Sequence, residues 1–508
     1  MIWFAVRFTS NCYYSRVSEH FGRIHAEARE CSYFRLKTAC AVLNGTDAIQ
    51  NTTYCDEFFV ERPLHETNLV VLLDNPDLGR CLNPKPSERN YMICRGNQDM
   101  TKKFSKTIIA LAFSWPLASH AGGIYLYELG TSDLGFAAAG TAARAEDAST
   151  VYANPAGMTR LPGNQLTVGA QALYGNAEYR LNPSSRLSGS NPGNVIGWAP
   201  GGSLFYSHSI DDRLKLGVAV YSNYGLGEKF GSSWAGRNVV DQTALVAATI
   251  QPTIAYRVND KWSLGAGLQA NYGYVMLQRV QAVGVVAAGT KRKQTDSDWA
   301  YSGRLGVLYE PSKSTRVGLV YNSQADLNFN VNTAVTLPDP VSGMPRTHSL
   351  PFGADTYMPQ QVMGSVYQRL SDRWAMMGNI GWQNWSKFGD NTVELGGRTA
   401  PEKIGYQDTW HIAYGMQYTL SEQTKINTGF AYDTSMYKNQ HNTSFVIPNA
   451  DTWRFGAGVQ HTLSAKSDIG FAAEYVTSGS SSDPSTVIGG KYDNPYIIFM
   501  SANYTYRF

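Results

Sequence analysis

The residues of this chain that could perform covalent or metal chemistry are nine histidines, six cysteines and the serines and carboxylates around them. A hydrolytic site needs a nucleophile, a base and an acid brought together. His208, His348, His411, His441 and His461 are scattered, and no Ser-His-acid spacing accompanies any of them. The cysteines Cys12, Cys31, Cys40, Cys55, Cys81 and Cys94 all precede residue 100, and "CDEFFVERPLHE" and "RNYMICRGNQ" lack the CxxC spacing of a metal site. No catalytic residue, metal ligand or cofactor is therefore assigned. Two features point to mechanical roles instead. In "VYANPAGM", Asn154 is placed to cap a helical turn that Pro155 begins and Gly157 stops early, which predicts one stiff turn. Asp433 ends an alternating run on its polar side, with Arg454, Glu474 and Arg507 also on polar faces as candidate partners or anchors.

The elements that position these residues follow from composition and period. A formal net charge of +3 over 508 residues gives no reason to expect nucleic acid as a partner. Mean hydropathy is −0.29, and no run after the first 120 residues approaches the length of a spanning helix. Yet 31 Tyr, 11 Trp and 48 Gly combine interface-seeking rings with residues that turn and pack closely. Such a mixture suits a transmembrane barrel.

A leader pattern opens at Met100: Lys102, Lys103 and Lys106, an apolar run from Thr107 to Leu117, then Ser119-His120-Ala121 with small residues at −3 and −1. The expected organisation is a start-site artefact without an assigned fold at 1–99, a signal peptide at 100–121, a hatch at 122–163 and a barrel at 164–508. A disulfide-bonded domain ahead of the leader is the alternative for the first segment.

From about Gln165 onward one design repeats. In "WSLGAGLQANYGY" the residues Trp262, Leu264, Ala266, Leu268, Ala270, Tyr272 and Tyr274 alternate with small or polar ones. Successive side chains of a strand point to opposite sides, so each such run has one apolar, ring-ended face and one small or polar face. The template predicts fourteen strands, near 165–181, 201–210, 213–225, 243–258, 261–279, 299–310, 315–331, 358–370, 373–385, 408–420, 424–434, 451–464, 467–477 and 495–508. Short turns alternate with long polar connections such as 280–298, 332–357 and 478–494, as periplasmic turns and outer loops do. The fold class expected is all-β: an antiparallel transmembrane β-barrel of about fourteen strands with an N-terminal plug in its lumen, in a bacterial outer membrane. The Ala- and Gly-rich "LGFAAAGTAARAEDAST" cannot face lipid, because irregular backbone there leaves polar groups unpaired. A soluble sandwich shares the strand pattern but not the leader or the ring-tipped ends.

"GGIYLYELGTSDLGFAAAGTAARAEDASTVYANPAGM" resembles the hatch of the FadL-type long-chain fatty acid and hydrocarbon transporters. "SNYGLGEKF", "AYRVNDKWSLGAGLQANYGYV", "MPQQVMGSVYQRLSDRWAMMGNIGWQNWSKF" and "IPNADTWRFGAGVQ" resemble family segments in the same order. The resemblance implies a plugged barrel that passes hydrophobic compounds inward by passive diffusion and releases them sideways through a gap at a kink in the third strand. On that reading Ser222, Asn223, Tyr224 and Gly225 form the kink, with Gly225 permitting the bend. Asn154, Pro155 and Ala156 lie against the gap, Ile124 belongs to the segment that shifts on ligand binding, and Asp433 faces the lumen near the hatch. The implied partners are a hydrophobic small molecule (fatty acid or hydrocarbon), membrane lipid and, through the outward-facing Phe508, the outer-membrane assembly machinery. A monomer without cofactors is expected. The competing readings are a general aqueous porin and an outer-membrane acyl hydrolase.

Overall fold

The computed structural model describes five short strands before residue 100, then residues 125–183, 188–280, 289–338, 345–390, 392–395, 398–401, 405–485 and 488–508. The chain divides into two compact units, Met1–Lys106 and Thr107–Phe508. In the first, Cys31–Leu36 pairs antiparallel with Phe4–Phe8 and with Glu57–Glu61, and Cys12–Val17 pairs with Ile24–Arg29. The expected leader at 100–121 and Ile124 lie outside the described residues.

The second unit is a closed antiparallel barrel in which each strand pairs with the next and the last with the first. Its fourteen strands are β1 (Gln165–Asn176), β2 (Gly197–Ser209), β3 (Leu214–Lys229), β4 (Gln242–Arg257), β5 (Trp262–Val280), β6 (Lys291–Ser312) and β7 (Thr315–Asn322), followed by β8 (Gln361–Arg369), β9 (Trp374–Gln383), β10 (Thr409–Thr419), β11 (Thr424–Asp433), β12 (Thr452–Ser464), β13 (Ser467–Ser478) and β14 (Tyr496–Arg507). Among the described residues no helix is long and apolar enough to cross a membrane; the crossing is made by strands.

The alternation read from sequence becomes the wall. On β5, Trp262, Leu264 and Leu268 are exposed while Ser263, Gln269 and Asn271 are buried. Exposed apolar side chains such as Tyr301, Leu305, Ile380, Ile412 and Phe471 continue the outer band around the barrel. Cross-strand ring pairs bound it at both rims. Trp262 stacks on Tyr309 and Trp374 lies against Tyr418 at the short-turn end, with Tyr174 against Trp198, Tyr272 against Trp299 and Tyr432 against Trp453 toward the long loops. Ten residues separate Trp262 from Tyr272. At about 3.4 Å per residue and a tilt of about 45°, that places the two rims roughly 24 Å apart, the height of an outer-membrane apolar band.

The three largest departures from the expected boundaries have physical reasons. The first predicted strand splits: β1 ends at Asn176, and Glu178–Leu181 turns off into a small sheet with Gly490–Tyr492. The seventh ends at Asn322, and Ala325–Pro338 pairs instead with Pro345–Met358, so the expected loop at 332–357 holds a hairpin. β6 starts at Lys291, inside the expected loop at 280–298, because its ladder with β5 runs on to Val280. Residues 291–298 carry no apolar face, since a strand that projects beyond the lipid has nothing apolar to meet.

Candidate functional site

The segment from Tyr125 to Leu161 lies against the inward faces of the barrel. It contains short turns only: Ser132–Phe136 and Pro155–Arg160 are 3-10 helices and Thr150–Ala153 a single α-turn. Its backbone is seated on glycines. A Cβ at Gly318 of β7 would stand 1.8 Å from the Ala142 carbonyl oxygen, and one at Gly429 of β11 2.0 Å from that of Phe136. No other residue fits there. In sequence these glycines belong to the small or polar face of each strand, and their recurrence on separate strands is the signal of a backbone packed against the wall.

The turn at Asn154 is built as expected in part. Its Oδ1 accepts a hydrogen bond from the Ala156 N–H at 3.1 Å and Pro155 occupies the first position. Gly157, however, does not stop the turn, which runs on to Arg160; the glycine is needed because a Cβ would collide with Thr150 Oγ1 at 2.3 Å. The Asn154 amide donates to the Ala142 carbonyl at 2.6 Å and to the Val307 carbonyl of β6 at 3.0 Å. Gly306 faces Asn154, and Gly265 of β5 faces Pro155 and Ala156. These bonds and closest approaches of Asn154, Pro155 and Ala156 are to β5 and β6, while Tyr152 just ahead of them packs against Tyr221 beside the irregularity of β3.

The irregularity in the third strand is real, and it falls at Ser222 and Asn223. The β3–β4 register jumps between Tyr221↔Thr249 and Tyr224↔Ala247, so two residues on β3 face one on β4. Gly225 is already back in register with Val246, and the bend is not its own. The extra residue flips the phase: the inward set passes from Lys215, Ala219 and Tyr221 to Tyr224, Leu226 and Glu228. Ser222 Oγ donates to the Ala247 carbonyl at 2.8 Å across the bulge.

Beyond the bulge β3 also leaves its other neighbour. The β2–β3 ladder runs from Lys215↔Ser209 to Val220↔Leu204 and stops, and contact resumes only where the Lys229 N–H donates to the Val195 carbonyl at 2.7 Å. Residues 221–228 of β3 therefore have no ladder to β2, although β2 stays paired with β1 up to Gly197. The interruption spans the stretch of β2 between Leu204 and Gly197.

From inside, residues 125–129 cover it. The Leu126 N–H donates to the Asn223 carbonyl at 2.8 Å, and Tyr125 forms a bridge with Tyr224 and packs edge-on against its ring. Ser203 Oγ of β2 donates to the Leu129 carbonyl at 2.5 Å, and Gln171 of β1 to the Glu128 carbonyl at 3.0 Å.

This covering segment is anchored across the lumen. The Glu128 carboxylate pairs with the fully buried Arg454, whose guanidinium also meets Asp433 at 2.6 Å and Glu474 at 3.2 Å. His411 Nδ1 lies 2.7 Å from the second Asp433 oxygen, and the Tyr127 ring stacks on His411. Asp433 is buried beside Arg454, which it shares with Glu474. Arg507 does not join them; it pairs with Asp468 near the short-turn end. Sequence reasoning missed Glu128 and His411. Burial, then the Asp433 charge, pushes the Tyr127 hydroxyl well above its usual range, so it stays a neutral group.

The other end of the plug has its own charge set. Arg144 pairs with Asp133 and lies 3.6 Å from Glu146, which Lys425 of β11 approaches at 3.4 Å. Burial works to raise the Glu146 carboxyl, but the attraction of Lys425, Arg144 and Arg316 and a hydrogen bond from Gln417 outweigh it and hold it at about 2.

Residues 113–508 match the family described as outer membrane protein transport protein (OMPP1/FadL/TodX). Similar curated proteins include a "Long-chain fatty acid transport protein" of Escherichia coli K12, 27% identical over 397 residues covering 68% of this chain and 86% of the relative. A "47 kDa outer membrane protein" of Pasteurella multocida is 30% identical over 367 residues, covering 68% and 85%. Among solved structures, a Pseudomonas aeruginosa FadL homologue aligns with a TM-score of 0.65 at 18% identity over 76% of this chain and all of its own. The Pseudomonas putida toluene transporter TodX aligns at 0.56 and 16% over 77% of this chain and 100% of its own. These two likenesses bear on the fold. A fourteen-stranded barrel with a ring-bounded apolar band, matched over nearly its whole length by this family, is an outer-membrane protein, and the chain belongs to the OMPP1/FadL/TodX family of outer membrane transport proteins.

Proposed function

We propose that the protein takes up hydrophobic compounds, long-chain fatty acids or related hydrocarbons, by passive diffusion, and releases them sideways through the interruption between β2 and β3. The observation that carries this reading is the missing ladder along residues 221–228, closed from the lumen by residues 125–129 rather than by a neighbouring strand. A covering segment held by side-chain anchors and a few backbone bonds is displaced more cheaply than a wall strand. Each buried CH₂ is worth roughly 0.8 kcal/mol, so a tail of about fourteen carbons resists release into water by on the order of 10 kcal/mol. Release into lipid avoids that cost.

The relatives named for fatty acid transport and the toluene transporter fit this class of cargo. In the same reading 100–121 is the export leader, 122–163 the hatch and 164–508 the barrel. An aqueous porin would not need its lumen filled by a segment seated on wall glycines. A hydrolase would need a nucleophile aligned with the His411–Asp433 pair, and His411 Nε2 is buried with no hydrogen-bond partner among the described residues.

The test is single-channel conductance of the purified protein in planar bilayers, alongside uptake of labelled palmitate and toluene by cells expressing it. The expected result is uptake without a large steady conductance; a steady open channel with no uptake overturns the reading.

A further inference from the structure

Four neighbouring strands, β3 to β6, carry an outward row of polar and cationic side chains where they project past the ring-bounded band. Lys229 of β3 pairs with Gln242 of β4, Gln242 with Gln278 of β5, and Gln278 with Lys293 of β6. These four residues share one rung. On β6 the exposed residues Trp299, Ser297, Thr295, Lys293 and Lys291 alternate along a single side, so the row continues the face that meets lipid nearer the membrane centre. Lys229 is exposed as well. The reverse side is occupied: Leu327 of the hairpin strand Ala325–Pro338 lies against Gly273, and the Asn328 N–H donates to the Asp298 carboxylate at 2.8 Å.

Among the described residues one carboxylate, Asp241, meets the row. It is 3% exposed, accepts from the Gln278 amide at 2.7 Å and pairs with Lys291 at 3.2 Å. Lys229 and Lys293 have no ion-pair partner among the described residues, and the connection 281–288, "QAVGVVAA", brings no charge of either sign. Three lysines against one acid leave two positive charges uncompensated. Arg279 and Arg292 stand directly opposite each other on the reverse side, a like-charge pairing that a nearby anion relieves. On the opposite wall β10, β12, β13 and β14 leave the rim through Asp408, Asp451, Thr477 and Asn494. The positive charge is local.

Six residues separate Lys293 from Trp299. At about 3.4 Å per residue and a tilt of about 45°, the row stands roughly 14 Å above the Trp299 ring. A phospholipid headgroup layer is only about 5–8 Å deep, so the row faces a thicker head, toward which the lysine stems reach back. Three strand spacings of about 4.8 Å put Lys229 and Lys293 roughly 14 Å apart. One phosphodiester does not bridge that width.

We propose that this row is a docking surface for the phosphorylated saccharide head of an outer-leaflet glycolipid. Its separated phosphates meet Lys229 at one end and Lys291 and Lys293 at the other, as clustered cations at a membrane surface take anionic heads. Gln242 between them and the exposed Thr295 and Ser297 offer hydrogen bonds to the sugars, and the acyl chains lie on the apolar band.

Binding of fluorescently labelled rough-type lipopolysaccharide to the purified, detergent-folded full chain tests this, with the dephosphorylated glycolipid and phosphatidylglycerol as the comparison ligands. Three triple variants are compared with wild type, their folding checked by heat-modifiable gel migration: Lys229→Gln/Lys291→Gln/Lys293→Gln, the same positions changed to Arg, and Lys261→Gln/Lys313→Gln/Lys466→Gln, which removes equal charge at the short-turn end. The surface predicts at least tenfold weaker lipopolysaccharide binding in the first variant, binding within twofold of wild type in the other two, and a loss of the same size on dephosphorylation. Unchanged binding in the first variant, an equal loss in the short-turn variant, or a wild type that binds no glycolipid or binds the dephosphorylated form as well overturns the surface. Phosphatidylglycerol bound as tightly as lipopolysaccharide overturns the choice of head.

Discussion

Two seams of the same wall meet the same plug and are built in opposite ways. At the β5–β6 seam the ladder is continuous from Trp262↔Tyr309 to Val280↔Lys291, and Asn154 binds a wall carbonyl between glycines that admit its turn. At the β2–β3 seam the ladder stops after Val220↔Leu204, and residues 125–129 take the place of a neighbour. One half of the plug is seated in the wall; the other half completes it. The contrast makes Asn154 the fixed point of the plug, and on the proposed route the segment ahead of it is the part that yields, with Arg454 as its catch.

Breaking the catch should have the largest effect. Arg454→Met leaves Glu128, Asp433 and Glu474 buried without their shared cation, and removal of one partner from a buried ion pair costs about 3–5 kcal/mol. A lower urea midpoint of the detergent-folded barrel is expected, together with noisy conductance as residues 125–129 come loose. Unchanged stability and a silent channel would show that the charges do not hold residues 125–129. Loosening the fixed half is a smaller perturbation: Asn154→Ala forfeits a cap and two carbonyl bonds, about 1–2 kcal/mol for the cap alone. It should lower the midpoint while leaving the β2–β3 cover in place, so uptake falls less than twofold.

Acid should sharpen the comparison least and last. Glu146 is held at about 2, below its ordinary 4.5, so its ion pairs stabilise the plug fully above about pH 4.5 and are lost only as pH falls through 2. The difference in opening events between wild type and Glu146→Gln should therefore be the same at pH 7 and pH 5 and vanish only toward pH 2. A difference that changes between pH 7 and 5 would mean that Glu146 does not stay ionised over that range.

The wall was legible because alternation is local: each strand states its own inside and outside, and all fourteen were found from that alone. The bulge was less so, since Ser222 and Asn223 are not the residues that usually mark a bend. A signal was nonetheless present. Continuing the phase of Leu216, Val218 and Val220 would put Glu228 on the lipid face, whereas it is fully buried. Where Asn154 docks was not legible, because contact between residue 154 and Val307 is a long-range fact that no local pattern encodes. The same holds for Glu128, an ordinary acid in a short polar stretch until Arg454 is brought to it from the far end of the chain.

The most direct test of the covering segment uses its bridge to the wall. Tyr125 and Tyr224 are directly paired, a separation that a disulfide spans, so the Tyr125→Cys/Tyr224→Cys variant can be locked by oxidant and freed by reductant. Fatty acid uptake by this variant, with wild type carried through the same treatments, should fall at least tenfold when oxidised and recover on reduction. Equal uptake in both states would mean that cargo leaves without moving residues 125–129, and the β2–β3 opening would not be its exit.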